Sequence, residues 1–425
     1  MILPETFLSR MQKRLGERFP AFLRALDAPP VRGVRANLLK TDASSLARLL
    51  SLTEPVPWAE GGFYSPLAKP GAHPAHHAGL FYAQEPSAMC AAPLLGVGRG
   101  ERVLDLCAAP GGKTTQLAAA MGGEGVLIAN EYVYDRACIL SQNVERMGIA
   151  NCAVLSAETS ALAAALPAYF DKILVDAPCS GEGMFRKDAN AVAEWSEENV
   201  GRCIARQRAI LEDAAAMLAG GGTLVYSTCT FEEGENEGQI RAFLARHPEF
   251  TLAEEHLLLP HEVRGEGHYA AKLCKTAGER RDAPLLAAPC PREARAAWQD
   301  FCADFFVRPP EGDAAMFADG RMFLLPVPFP ALPGRVLRAG VELGKAEKKR
   351  FLPAHALAMA AKTADVARVA ALDDAQCARW LQGETLASDV GDGWGVAAWR
   401  GHPLSLMKAV QGTLKNHYPK GLREH

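Results

Sequence analysis

The chain has 425 residues, of which 49% are apolar and 22% charged, with a net charge of −3. That length exceeds what one hydrophobic core organises, so two or three domains are expected. No run approaches the roughly 18–20 consecutive apolar residues needed to cross a bilayer, and the start, "MILPETFLSRMQKRLGERF", turns charged too early for a signal peptide. A cytoplasmic protein without membrane association is expected.

Residues 1–90 read as short helices such as "PAFLRALDA", followed by a Pro/Gly/His-rich stretch at 55–80. From Arg102 the pattern changes. "VLDLC" (103–107) is an apolar run that leads through a glycine turn into the helical "TTQLAAAM". "VLIAN" (126–130) precedes a helix through "DRACILSQNVERM"; "CAVL" (152–155), "KILVDA" (172–177) and "TLVYST" (223–228) follow, with a long helix at 196–219 before the last. Such alternation predicts an α/β fold, a doubly wound parallel sheet with right-handed crossovers.

"GHYAAKLCK" (267–275) is expected to close that sheet as an antiparallel strand. The segment 276–294 reads as a linker. Beyond it, "RMFLLPVP", "GRVLRAGVELG" and "GDGWGVAAWRGHPLSLMKAV" suggest one or two small β-rich modules. The expected division is therefore 1–90, 91–275, the linker 276–294, and 295–425.

"AAPGGKTT" (108–115) invites comparison with a phosphate loop. That loop needs G-x-x-x-x-G-K-[ST], but Cys107 stands where the first glycine should be. Pro110 also removes an amide from the wrap. A dinucleotide fingerprint is absent as well, since only Gly111 and Gly112 are present. What remains is a strand, a tight turn and a helix start, with Glu131 directly after the second strand to accept ribose hydroxyls. Glu158, after the third strand, is placed to bond a base. The pattern suits S-adenosylmethionine.

The eleven cysteines form no C-x-x-C pair, and their odd number fits neither a zinc ribbon nor a disulfide scaffold. A buried structural thiol is the ordinary reading of any one of them. Cys179 in "VDAPCSGEGMF" and Cys229 in "VYSTCTFEEGENE" differ, because both follow strands at the ligand-binding edge of a parallel sheet. A thiolate adding to carbon 6 of cytosine makes carbon 5 nucleophilic, so a thiol at this place suits covalent methylation of a pyrimidine. Asp176 can hold the exocyclic amine and ring nitrogen. The base must be unstacked to reach such a pocket.

"LDLCAAPGGKTTQLA", "ILVDAPCSGEGMFRKD" and "LVYSTCTFEEGENE" together resemble the Sun-type (NOL/NOP/Sun) RNA 5-methylcytosine methyltransferases. "VRANLLKT" (34–41) and "YAQEPSAM" (82–89) match further patterns of that family, while the "GEGMFRKD" tail and "GEGHYAAKLCK" bring the chain close to bacterial 16S rRNA methyltransferases of the RsmF type. "FLPAHALAMA" through "GHPLSLMKAVQGTLKNHYP" resembles their small PUA-like RNA-binding module. The resemblance implies a Rossmann-like methyltransferase core, an N-terminal RNA-binding region and a C-terminal RNA-binding domain. It further implies that Cys229 is the nucleophile and that Cys179 assists breakdown of the adduct. Cys107, Ala108, Ala109, Pro110, Gly111, Gly112 and Lys113 would line the cofactor with Glu131, Arg136, Glu158 and Asp176, and Lys113 would orient the cytosine with Asp176. The family more often has Asp where this chain has Glu158.

Partners follow from the same resemblance: RNA, ribosomal or as the small subunit, with the protein a monomer. Basic residues at both ends suit that partner, namely Arg10, Lys13, Arg14, Arg18, Arg24, Arg32, Arg35, Lys40 and Arg48 first, then Lys345, Lys348, Lys349 and Arg350, then Lys408, Lys415, Lys420 and Arg423. Arg35 and Lys40 are the expected RNA-backbone contacts. His73, His76 and His77 lack a carboxylate or cysteine at ligand spacing, so no metal is expected. The same chemistry on transfer RNA, a non-catalytic ribosome-assembly factor, and an ATPase remain as alternatives, the last disfavoured by Cys107 and Pro110.

Overall fold

The computed structural model describes residues 3–287, 289–347 and 350–423. Lys348 and Lys349 of the second basic run lie outside the described residues.

The N-terminal region starts with two amphipathic helices, Glu5–Leu15 and Phe19–Asp27. They bury Phe7, Met11, Phe22 and Leu26 against Phe185, Trp195 and Phe231 of the following domain. A three-stranded antiparallel sheet comes next, with β1 (Gly33–Ala36) between β2 (Gly62–Tyr64) and β3 (Phe81–Ala83).

The second domain is built on an eight-stranded sheet. β4 (Arg102–Asp105), β5 (Val126–Asn130), β6 (Cys152–Ser156), β7 (Phe170–Asp176) and β8 (Leu218–Thr228) form its parallel heart in the order β6-β5-β4-β7-β8. Each strand is apolar on both faces, as a sheet covered by helices on either side requires, and separate apolar clusters fill the two faces. β9 (Phe250–Leu258) and β10 (His268–Lys275) complete one edge in the order β8-β10-β9, both pairings antiparallel. Because β10 runs against β8, its first residues lie at the edge where β4 to β8 end.

Residues 276–287 run extended along this domain: Gly220 donates its amide to Glu279 O, and Arg281 to Ala168 O. A helix, Arg292–Phe305, then begins inside the stretch that composition marks as linker. The C-terminal part holds a four-stranded sheet of β11 (Asp313–Met316), β12 (Met322–Leu325), β14 (Val341–Glu347) and β15 (Arg350–Pro353). Between β12 and β14, β13 (Arg335–Ala339) leaves that module and pairs antiparallel with β6, as the other edge of the central sheet. "GRVLRAGVELG" is therefore divided at Gly340, with one half serving each domain. A five-stranded sheet ends the chain: β16 (Val369–Leu372), β17 (Leu386–Ala387), β18 (Gly393–Trp399), β19 (His402–Val410) and β20 (Thr413–Asn416). Among the described residues no helix is long and apolar enough to cross a membrane.

Candidate active site

The carboxyl ends of β4, β7 and β8 bring the motifs together. After β4, the loop that looked like a phosphate cradle is held by its own amides: Leu106 donates to Leu174 O and Ala108 to Asn130 O. Those donors are therefore taken. The Ala109–Pro110 bond is cis, and Gly111 adopts φ 112° to start the helix Gly112–Met121. Arg136 donates to Ala109 O at 3.1 Å and Asn143 to Pro110 O at 2.9 Å, fixing the loop from the neighbouring helix.

Asp105, an acid that ends an apolar strand and was not singled out in the sequence, is fully buried. Thr114 donates to its Oδ2 at 2.6 Å, while Oδ1 has no partner. Burial pushes this carboxyl up to about 7. Glu131, at the end of β5, is also buried; it accepts from the Val133 amide at 3.0 Å and lies 3.5 Å from Arg136. Glu158 is exposed at the start of the helix Thr159–Ala165 and makes no capping bond with its side chain. The donor set fits S-adenosylmethionine. The unpaired Asp105 oxygen suits its amino group, the Glu131 carboxylate its ribose, and Glu158 stands open toward a base.

At the end of β7, Asp176 Oδ2 accepts from Lys113 Nζ at 2.7 Å and Oδ1 from Ser227 Oγ at 2.9 Å. Burial opposes both charges, but each holds the other ionised: Lys113 is raised above and Asp176 lowered below its ordinary value. The Asp176 side chain is still 29% exposed, so one edge is open to a ligand.

Beyond it, Cys179 Sγ lies 3.4 Å from Cys229 Sγ. The loops that carry them are rigidly tied. The Ser180 amide donates to Glu235 at 3.0 Å, and Gln207 to the same carboxylate at 2.7 Å. The buried Glu182 accepts from Trp195 and from the Phe231 amide. Gly183 donates its amide to Cys229 O at 2.8 Å, and a Cβ there would stand 2.9 Å from that oxygen, so the close approach needs glycine. Hydrogen bonding to Cys229, then burial, pushes the Cys179 thiol well up. Glu182, Ser227, Glu235 and His268 escaped the sequence reading, and the signal for the two glutamates was the acid-rich "GEG" and "FEEGENE".

Arg35 and Lys40 require a correction. Arg35 is 1% exposed and donates to Gln84 Oε1, Gly112 O and Thr115 Oγ1, joining β1 to the cofactor-loop helix. Lys40 donates to Ala78 O and Arg146 O, and burial, then Arg146, pushes its ammonium down to about 7. Both hold domains together and neither presents free charge to RNA. Arg10 pairs with Glu182 and Glu232, and Arg14 with Glu237, likewise across the domain boundary. Lys13, Arg24 and Arg32 are exposed and form no ion pair among the described residues.

The histidine cluster also has a structural place. His73 accepts from the Ala75 amide and packs on Trp399, and His77 bonds Tyr418 at 2.8 Å, so the loop docks on the last sheet. No group of three potential ligands that could hold a metal occurs among the described residues.

The whole length of this architecture has known counterparts. Residues 92–274 match the family model for the 16S rRNA methyltransferase RsmB/F, 3–86 that for the N-terminal domain of RsmF, 300–360 its first C-terminal domain, and 367–424 the RsmF PUA domain. The Ribosomal RNA small subunit methyltransferase F of Shigella boydii serotype 18 is 34% identical, covering 99% of this chain and 96% of the relative. The protein of that name from Escherichia coli O127:H6 matches equally.

The chain belongs to the RsmF family of rRNA methyltransferases.

Among solved structures, a methyltransferase homolog protein from Pyrococcus horikoshii has a TM-score of 0.56 and 29% identity, covering 64% of this chain and 100% of that one. NSun6 from the same organism, solved with SFG, has a TM-score of 0.59 and 21% identity over 64% and 98% of the chains, a likeness of fold. This RsmF family member thus has a Rossmann-like methyltransferase core whose sheet is closed at one edge by a strand from the C-terminal part.

Proposed function

We propose that the protein transfers a methyl group from S-adenosylmethionine to carbon 5 of a cytosine in 16S ribosomal RNA, through a covalent adduct between Cys229 and carbon 6. The observation that carries this reading is the 3.4 Å approach of Cys179 and Cys229 beside the Lys113–Asp176 pair. A methyltransferase acting on an already nucleophilic atom needs neither thiol.

In this reading Asp176, kept ionised by Lys113, accepts a hydrogen bond from the cytosine amino group and orients the ring. The Cys229 sulfur, its proton passed to water, attacks carbon 6 as the thiolate, and the electron pair of the carbon 5–carbon 6 double bond moves to carbon 5. The bound cofactor supplies the electrophilic methyl. Water at the open edge of the site takes the carbon 5 proton, the C–H pair forms the carbon 5–carbon 6 double bond, and the carbon–sulfur bond breaks with its pair returning to Cys229. The Cys179 S–H, held protonated by its environment, donates to that leaving sulfur. Asp105, Glu131, Glu158, Arg136 and the 107–113 loop bind the cofactor and orient it.

RNA affinity of the non-specific kind is assigned to the exposed Lys13, Arg24 and Arg32 and to Lys415 and Lys420 near the other end. The test is incubation of small subunits and of naked 16S rRNA with the protein and isotope-labelled S-adenosylmethionine, followed by nucleoside mass spectrometry. Labelled 5-methylcytidine is expected. Label in another nucleoside, or none, sinks the reading.

A further inference from the structure

His268 opens β10, pointing at the place where β7 and β8 end. It is 1% exposed, and neither ring nitrogen has a hydrogen-bond partner. Buried polar groups are nearly always paired, so an orphaned imidazole beside a reactive centre asks for a reason. Its Nε2 stands 3.8 Å from Asp176 Oδ1, just outside hydrogen-bond range.

Asp176 has room for this partner. Its Oδ1 accepts from Ser227 and its Oδ2 from Lys113, which leaves lone pairs on both oxygens. The histidine is the fixed member of the pair. Gly267, immediately before it, has φ 104°, donates its amide to Ser87 Oγ at 3.0 Å, and packs so that a Cβ would stand 2.4 Å from the Phe231 ring. Burial, then Lys113, pushes the imidazole down to about 3, so it is neutral and carries one N–H. Asp176, open along one edge, is the member free to tilt.

We propose that His268 is a positioning residue for Asp176: when a base enters, the carboxylate turns to meet it and Oδ1 accepts the Nε2–H of His268. Hydrogen bonds at reactive centres are often long before the substrate binds and tighten in the complex. The closed bond fixes the plane of the carboxylate that grips the amino group, and it removes the orphaned donor in the same movement. The inference rests on the reading of Asp176 as the group that holds the target cytosine.

Single-turnover methylation of 16S rRNA tests it with two variants. His268→Phe keeps the ring and loses the donor, and His268→Gln restores an N–H at similar reach. The Phe variant is expected to transfer methyl about tenfold or more slowly, with S-adenosylmethionine affinity and melting temperature unchanged, and the Gln variant to recover most of the rate. A Phe variant as fast as wild type overturns the inference alone, as do Phe and Gln variants that are equally slow. A wild-type protein that makes no 5-methylcytosine overturns the functional reading and this inference together.

Discussion

Lys113 Nζ donates to Asp176 Oδ2 at 2.7 Å, across the gap between the cofactor loop and the end of the neighbouring strand. The lysine that invites comparison with a phosphate loop is paired with this carboxylate.

Removing that cation exposes what it does. Lys113→Met leaves Asp176 with burial as the chief influence, which raises a carboxyl. In the wild type Asp176 lies below its ordinary value, so the stability the pair contributes is present above about pH 4 and is lost only as pH falls through the lower folded value. Lys113 lies above its ordinary value, and its share persists until pH exceeds about 10. The wild-type rate is therefore expected to show no acid limb from Asp176 at pH 5–9. Lys113→Met is expected to lose about a hundredfold or more in rate and to gain a new acid limb, read from single-turnover pH profiles.

Asp105 has the opposite sign. Its folded value, about 7, lies above that of the unfolded chain, so the folded state binds the extra proton and stability falls as pH rises from about 4 to 7. The loss is about 4 kcal/mol at most. Asp105→Asn is expected to flatten this part of the pH–stability curve and to raise the melting temperature at pH 8, while weakening S-adenosylmethionine binding. A variant with wild-type pH dependence in thermal denaturation contradicts the assignment.

The basic residues of the N-terminal region divide into two groups with separable effects. Arg35→Leu breaks three hydrogen bonds, two of which, to Gly112 O and Thr115 Oγ1, cross the domain boundary, each worth about 1.5–3 kcal/mol as a bond to a charged group. It is expected to lower the melting temperature sharply and leave the salt dependence of RNA binding alone. Arg32→Ala, Arg24→Ala and Lys13→Ala are expected to do the reverse, each reducing the slope of log affinity against log salt by about 1. Filter binding at several salt concentrations, alongside calorimetry, separates the two.

The parallel sheet was legible because strands buried on both faces read as unbroken apolar runs at regular spacing: "VLIAN" forms β5 with no residue gained or lost. The placing of both thiols and Asp176 was legible because Asp176 ends such a run, while Cys179 and Cys229 stand three residues past β7 and one past β8. What escaped was whatever depends on contacts distant in sequence. A strand such as β13, short and flanked by glycine, carries no mark of which sheet it will join. Arg35 looked like surface charge because a single sequence does not show that Gln84, Gly112 and Thr115 would close around it. His268 is one polar residue at a strand start, and only the fold brings it to Asp176.

The covalent step assigned to Cys229 is tested most directly by trapping. The Cys179→Ala variant, incubated with 16S rRNA and S-adenosylmethionine, digested with protease and nuclease and analysed by mass spectrometry, is expected to yield a peptide carrying a methylated cytidine on Cys229, and Cys229→Ala to yield neither adduct nor 5-methylcytidine. A cytidine found on Cys179 in the Cys229→Ala variant, or 5-methylcytidine made by that variant, would contradict the account.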